Sequence, residues 1–183
     1  MIHLITGGSG SGKSAYAEAW LMQKEDQGRY GNKKPFLYIA TMRPFGRESQ
    51  KKIQRHQEQR AGKGFVTLEC YQDLDTLDIP ENAGILLECV MNLVANECYR
   101  DDRRGSIQTE EQAERKVLGG IRNLSDKTEF LAVVTGRVDE DLFTYSEETR
   151  CYQRILGNIN QKIGHMSDQV TEVVYGIPVP VKR

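Results

Sequence analysis

Eight residues near the start, GGSGSGKS from Gly7 to Ser14, carry the clearest chemistry in the sequence. They satisfy G-x-x-x-x-G-K-[ST], directly after an apolar run and directly before a helical pattern. Gly7, Gly8, Ser9, Gly10, Ser11 and Gly12 let the backbone wrap a phosphate group so that successive N–H groups point inward. The following helix adds the positive end of its dipole. In that arrangement Lys13 reaches the β and γ phosphates and the Ser14 hydroxyl is a ligand for Mg²⁺. A flexible Gly/Ser turn is the alternative, and the two flanks and the Lys-Ser ending argue against it.

Such a loop usually works with a carboxylate at the end of a neighbouring strand. Glu88, closing the run GILLE, is the candidate second metal ligand; a merely solvated strand-end glutamate is the other reading. The third chemical feature is KIQRHQEQR, Lys52 to Arg60, where one of only three histidines sits in a polar helical pattern. Lys52, Arg55 and Arg60 surround His56, favour its neutral form and suit an anionic partner. A neutral imidazole facing a bound nucleotide can attack the α phosphorus. By residue type alone, His56 fits either that nucleophile or a solvated histidine on a charged helix.

Short apolar runs alternate with longer amphipathic ones to position these residues. Strands are expected at Ile2 to Thr6, Pro35 to Thr41, Phe65 to Glu69, Ala83 to Glu88, Phe130 to Thr135, Val170 to Tyr175 and Ile177 to Val181. Helices are expected at Lys13 to Lys24, Arg47 to Gln59, Val90 to Arg100, Thr109 to Leu124 and Glu147 to His165. The alternation predicts an α/β fold, a mostly parallel sheet with helices on both faces. Gly176 and the two prolines of VVYGIPVPVK predict a turn and an edge strand at the C-terminal end. Asp101 to Ser106 reads as an exposed loop.

The length of 183 residues fits a single domain over residues 1–183. Lys plus Arg total 25 against 26 Asp plus Glu, so no bulk charge draws the chain to nucleic acid or to a membrane surface. Neither a signal-peptide pattern nor an apolar run of about 18 to 20 residues is present, which predicts a soluble protein without membrane insertion. Cys70, Cys89, Cys98 and Cys151 form no C-x-x-C pair and read as reduced thiols of a cytoplasmic protein.

Taken in order, GGSGSGKS, YIAT, KIQRHQEQR, LECYQDLDTL, GILLECVMNLVAN and NINQKIGHMSDQVTEVVYGIPVPVK resemble the adenosylcobinamide kinase / adenosylcobinamide-phosphate guanylyltransferase family over nearly the whole chain. Only Tyr99 to Lys127 matches weakly. The resemblance implies a P-loop NTPase-like (RecA-like) fold with an antiparallel C-terminal edge. It also implies that His56 is guanylylated by GTP and passes GMP to adenosylcobinamide phosphate, while the same protein phosphorylates adenosylcobinamide. The implied nucleotide contacts are Gly7 to Ser14, Ala40, Thr41, Met42, Gln57, Glu58, Gln59, Arg60, Glu69 and Glu88. Mg²⁺ with GTP or ATP, a corrinoid substrate and a homo-oligomer, typically a trimer, are further implications.

The chain departs from the family pattern in places. Lys52 and Gly10 stand where the family often has arginine. The loop from Gly136 to Thr144 replaces the usual Asn-Glu-Val-Gly-x-Gly, adding charge where ligands of open α/β sheets bind. Two other readings therefore stay open: a kinase that has lost the transferase step or changed acceptor, and a nucleotide-dependent switch. His3, His165, Tyr38 and Trp20 read as structural. Asn158, Asn160 and Gln161 match the family's N-Q segment yet fit surface amides as well.

Overall fold

The structure is a computed structural model that describes residues 1–24, 36–79, 82–100, 109–136 and 145–183, the side chains of residues 48, 52, 59, 82 and 83 aside. Pro35, the loop from Asp101 to Ser106 and the stretch from Arg137 to Thr144 lie outside the described residues, as do the Lys52 and Gln59 side chains.

The elements run β1 (Ile2–Thr6), α1 (Lys13–Gln23), β2 (Phe36–Ala40), α2 (Gly46–Arg60), β3 (Phe65–Glu69), a 3₁₀ turn (Leu74–Thr76) and β4 (Asn82–Leu87). They continue with α3 (Val90–Cys98), α4 (Glu110–Lys127), β5 (Thr128–Val134), α5 (Glu147–Met166), β6 (Gln169–Val174) and β7 (Ile177–Lys182). The sheet order is β3-β2-β4-β5-β1-β6-β7. Every neighbouring pair is parallel except β6 with β7, so the expected antiparallel edge is present.

Strand side chains alternate between two cores. Leu4, Ile39, Leu87 and Leu131 face α3, α4 and α5. Ile5, Tyr38, Leu86 and Ala132 face α1 through Ala17, Trp20 and Leu21. Helices thus cover both faces. His3 belongs to the second face: its Nε2 lies 2.8 Å from the Thr171 hydroxyl, and its ring meets Trp20 edge-on at 4.7 Å. Burial, with the nearby Lys24, lowers its pKa from 6.5 to about 4. The structural reading of His3 and Trp20 holds.

Two helix ends differ from expectation by two or more residues for reasons the packing shows. Helix α4 runs on through Ser125, Asp126 and Lys127 straight into β5, because Leu124 is buried and no helix breaker follows it. Its start is fixed by a capping box in which Thr109 Oγ1 accepts from Gln112 N–H and the Gln112 side chain accepts from Thr109 N–H. Helix α3 stops at Cys98 rather than Arg100, whose side chain turns to pair with Asp73. Strand β3 is an edge strand with Val66 exposed. Strand β7 is exposed throughout and is tied down by Lys182, whose ammonium donates to the carbonyls of Gly164, His165 and Ser167 at the end of α5.

Candidate active site

The phosphate loop, Ala40 to Met42, Glu69 and Glu88 lie at the carboxyl ends of parallel strands, where open α/β sheets bind ligands, and α2 brings His56 and Arg60 to the same edge. The loop from Gly7 to Gly12 leaves β1 and enters α1 at Lys13. Gly7 (φ 151°), Gly10 (φ 71°) and Gly12 (φ 93°) hold conformations that side chains disfavour. A Cβ on Gly7 would meet the Val173 carbonyl oxygen at 2.4 Å, so only glycine fits there. Gly10 has open space around it, so its left-handed backbone rather than crowding is what favours glycine there. Lys13 Nζ donates to the Gly8 carbonyl at 2.9 Å, which folds its ammonium back over the loop. Partial burial lowers the Lys13 pKa, while the neighbouring Cys89 thiol acts in the opposite direction.

The second part is a cleft of about 310 Å³, open solvent included, between β2, β4 and α2. His56, Gln57 and Arg60 face it from α2, and Ala40, Met42, Glu69 and Glu88 from the strand ends. Helix α2 packs lightly on the body, as its single apolar side chain in the second half, Ile53, predicts. Its C-terminal end is anchored by Lys63, just past the helix, in an ion pair of 2.6 Å with the buried Glu18 of α1.

Arg60 is buried and lies over the Tyr38 ring, its guanidinium carbon 3.3 Å from the centroid. Arg60 Nη1, the Tyr38 hydroxyl and His56 Nδ1 are all shielded from solvent without a hydrogen-bond partner among the described residues. Three such atoms around one cleft are costly unless something fills it. Burial raises the Tyr38 pKa far beyond the usual phenol value, and Glu88 pushes it the same way, so the hydroxyl stays protonated. Glu88 is close enough to act on it, yet no hydrogen bond of acceptable geometry joins them.

Glu88 is buried and its Oε2 accepts from the Thr41 N–H at 3.1 Å. Thr41 itself points inward: its hydroxyl donates to the Cys89 carbonyl at 2.9 Å and its carbonyl accepts from Asn96. The structure therefore gathers Ala40, Met42, Gln57, Arg60, Glu69 and Glu88 around His56, while Thr41 braces the strand ends. Glu58 faces away from the cleft, its carboxylate accepting from Gln54. Cys89 connects the halves of the site, following Glu88 in sequence and lying close enough to Lys13 to perturb it.

Sequence reading missed two contributors. Tyr38 was expected only to pack; a tyrosine inside an apolar strand, whose hydroxyl needs a partner, was the available signal. Asn160 accepts from the Thr135 hydroxyl at 2.8 Å and donates to the Gly136 carbonyl at 3.1 Å, fixing the end of β5 beside the phosphate loop. Gly136 is wedged between Met91 and Gly7, and a Cβ there would meet the Met91 sulfur at 2.5 Å.

A glycine-rich loop between β1 and α1, at the carboxyl edge of a mostly parallel sheet, defines a P-loop NTPase-like protein. Residues 3–181 match the family model described as cobinamide kinase / cobinamide phosphate guanyltransferase, and the chain belongs to that family. Two relatives are each 31% identical with complete coverage of both chains. Both are the bifunctional adenosylcobalamin biosynthesis protein CobU, one from Salmonella typhimurium strain LT2 and one from Escherichia coli strain K12.

Proposed function

We propose that this chain phosphorylates adenosylcobinamide and transfers GMP from GTP to adenosylcobinamide phosphate, giving adenosyl-GDP-cobinamide, with His56 as the covalent carrier. The observation that supports this most is the cleft in which His56, Arg60 and Tyr38 each present a buried polar atom without a partner. A His56 ring nitrogen attacks the α phosphorus of GTP as the bond to the pyrophosphate oxygen breaks. The loop N–H groups and Lys13 hold the phosphate charge, and Arg60, pre-oriented on Tyr38, stabilises what develops at the α phosphoryl group. In the kinase step the same loop presents the γ phosphate of GTP or ATP to the corrinoid hydroxyl.

Ser14 and Glu88 supply a hydroxyl and a carboxylate, hard oxygen donors that suit Mg²⁺, which binds through one or two protein oxygens plus substrate phosphates. When bound, the ion neutralises phosphate charge. Kinship with the family supports residues 1–183 acting as one catalytic domain in a cytoplasmic homotrimer. Among the described residues no helix is long and apolar enough to cross a membrane.

The test is covalent labelling of the pure protein with α-labelled GTP and Mg²⁺. An acid-labile, base-stable label is expected on the wild type and none on His56→Ala. A His56→Ala variant that labels as fast as the wild type refutes the histidine carrier.

A further inference from the structure

A second groove opens beside the His56 cleft, of about 760 Å³ with the solvent at its mouth included. Met42, Arg43, Phe45, Asn92, Ala95 and Asn96 line it, and Met42 also lines the His56 cleft. The two spaces therefore meet at one side chain. Its walls are braced: the Phe45 N–H donates to the Arg43 carbonyl at 2.8 Å, Ser49 bonds back to Phe45 and Gly46, and the Asn96 amide donates to the Thr41 carbonyl at 2.9 Å.

Three side chains of this groove point to a ligand. Phe45 is 89% exposed at the start of α2. Asn92 Nδ2 is shielded from water and has no hydrogen-bond partner among the described residues. Arg43 lines the groove and also lies near enough to Tyr71, a wall of the His56 cleft, to act on its phenol. An apolar face, an amide donor and a cation at the boundary with the nucleophile form one pattern. It suits a large, partly apolar ring fringed with amides and carrying a phosphate ester.

We propose that this groove binds the acceptor, with Arg43 holding the acceptor phosphate toward His56, Phe45 lying against the ring and Asn92 bonding a fringe amide. The proposal rests on the guanylyl-transfer reading above. In the transfer step an acceptor phosphate oxygen attacks the guanylyl phosphorus. The phosphorus–His56 bond breaks, its electron pair returns to the imidazole, and a P–O–P anhydride results. Arg43 pairs with the acceptor phosphate already in the bound complex and screens the charge between the two phosphates as they approach.

The experiment compares Arg43→Gln and Phe45→Ala with the wild type in three measurements. These are self-labelling by α-labelled GTP without acceptor, transfer to adenosylcobinamide phosphate, and direct binding of that corrinoid by equilibrium dialysis read by its visible absorbance. Expected are self-labelling within twofold of the wild type, an acceptor KM raised tenfold or more in each variant, and dialysis affinity weakened to match. Unchanged acceptor binding in both variants overturns the proposal. So does a changed oligomeric state in sedimentation with acceptor binding intact, which would make the groove a contact between copies. A wild type that binds the corrinoid but never labels counts against the histidine carrier instead, and dialysis then still decides the groove.

Discussion

Replacing Tyr38 separates a ring that seats a catalytic arginine from a ring that only fills space. Tyr38 is 1% exposed in the middle of β2, and the Arg60 guanidinium stacks on it at 3.3 Å. A desolvated cation–π contact is worth about 2 kcal/mol. If that energy holds Arg60 in the geometry needed at the α phosphoryl group, its loss slows histidine guanylylation roughly thirtyfold. Tyr38→Leu removes the stacking face. Tyr38→Phe keeps it and deletes a buried hydroxyl without a partner, which is expected to leave stability unchanged or raise it by about 1 kcal/mol.

The assay is single-turnover label formation at saturating GTP, with each variant held the same interval below its own melting temperature. That matching matters because Tyr38→Leu also opens a cavity, expected to cost about 2 to 4 kcal/mol of stability. The Phe variant should label within threefold of the wild type and the Leu variant roughly thirtyfold more slowly. Equal rates for Leu and wild type would show that Arg60 is seated by something other than the ring. A Phe variant as slow as Leu would move the role from the ring face to the hydroxyl.

Two further predictions follow from the same geometry. Gly7→Ala forces a Cβ against the Val173 carbonyl at a left-handed φ, so GTP affinity measured by calorimetry should fall at least tenfold; near-normal affinity would mean the loop can rearrange freely. His3 titrates near 6.5 when unfolded and about 4 when folded, because burial disfavours its charged form. The unfolded chain therefore binds the extra proton between those values, and the stability contributed by neutral His3 is complete above pH 6.5 and lost as pH falls toward 4. At about 1.4 kcal/mol per pH unit the loss is on the order of 3 kcal/mol. Urea denaturation from pH 7.5 to 4.5 should show this slope and His3→Gln should flatten it; parallel curves would place the proton elsewhere.

What was legible from sequence was what is local. IHLIT and FVTLE form the strands expected at those residues, and GGSGSGKS encodes its own loop because its glycines fix the backbone. The exposure of β3 was not legible, since its five residues do not declare which strands flank it and only the sheet order makes it an edge. The His56 cleft was half legible: the residues of α2 were named, but the seat for Arg60 depends on the end of α2 lying over Tyr38 of β2, which no spacing in the chain declares.

The phosphate loop shows the same division more sharply. Its shape comes from three local glycines, yet its position is set from the other end of the chain. The Gly176 N–H donates to the Ser11 carbonyl at 2.9 Å, and a Cβ on Gly12 would lie 3.5 Å from Gly176 Cα. Gly136, held by Asn160, closes the opposite side against Gly7. Glycine gives the loop the freedom to wrap a phosphate and, by the same freedom, leaves it unable to hold one shape alone. The β6–β7 turn and the end of β5 restrict that freedom. The tail YGIPVP, which reads as a mere edge strand, therefore helps to preorganise the nucleotide site.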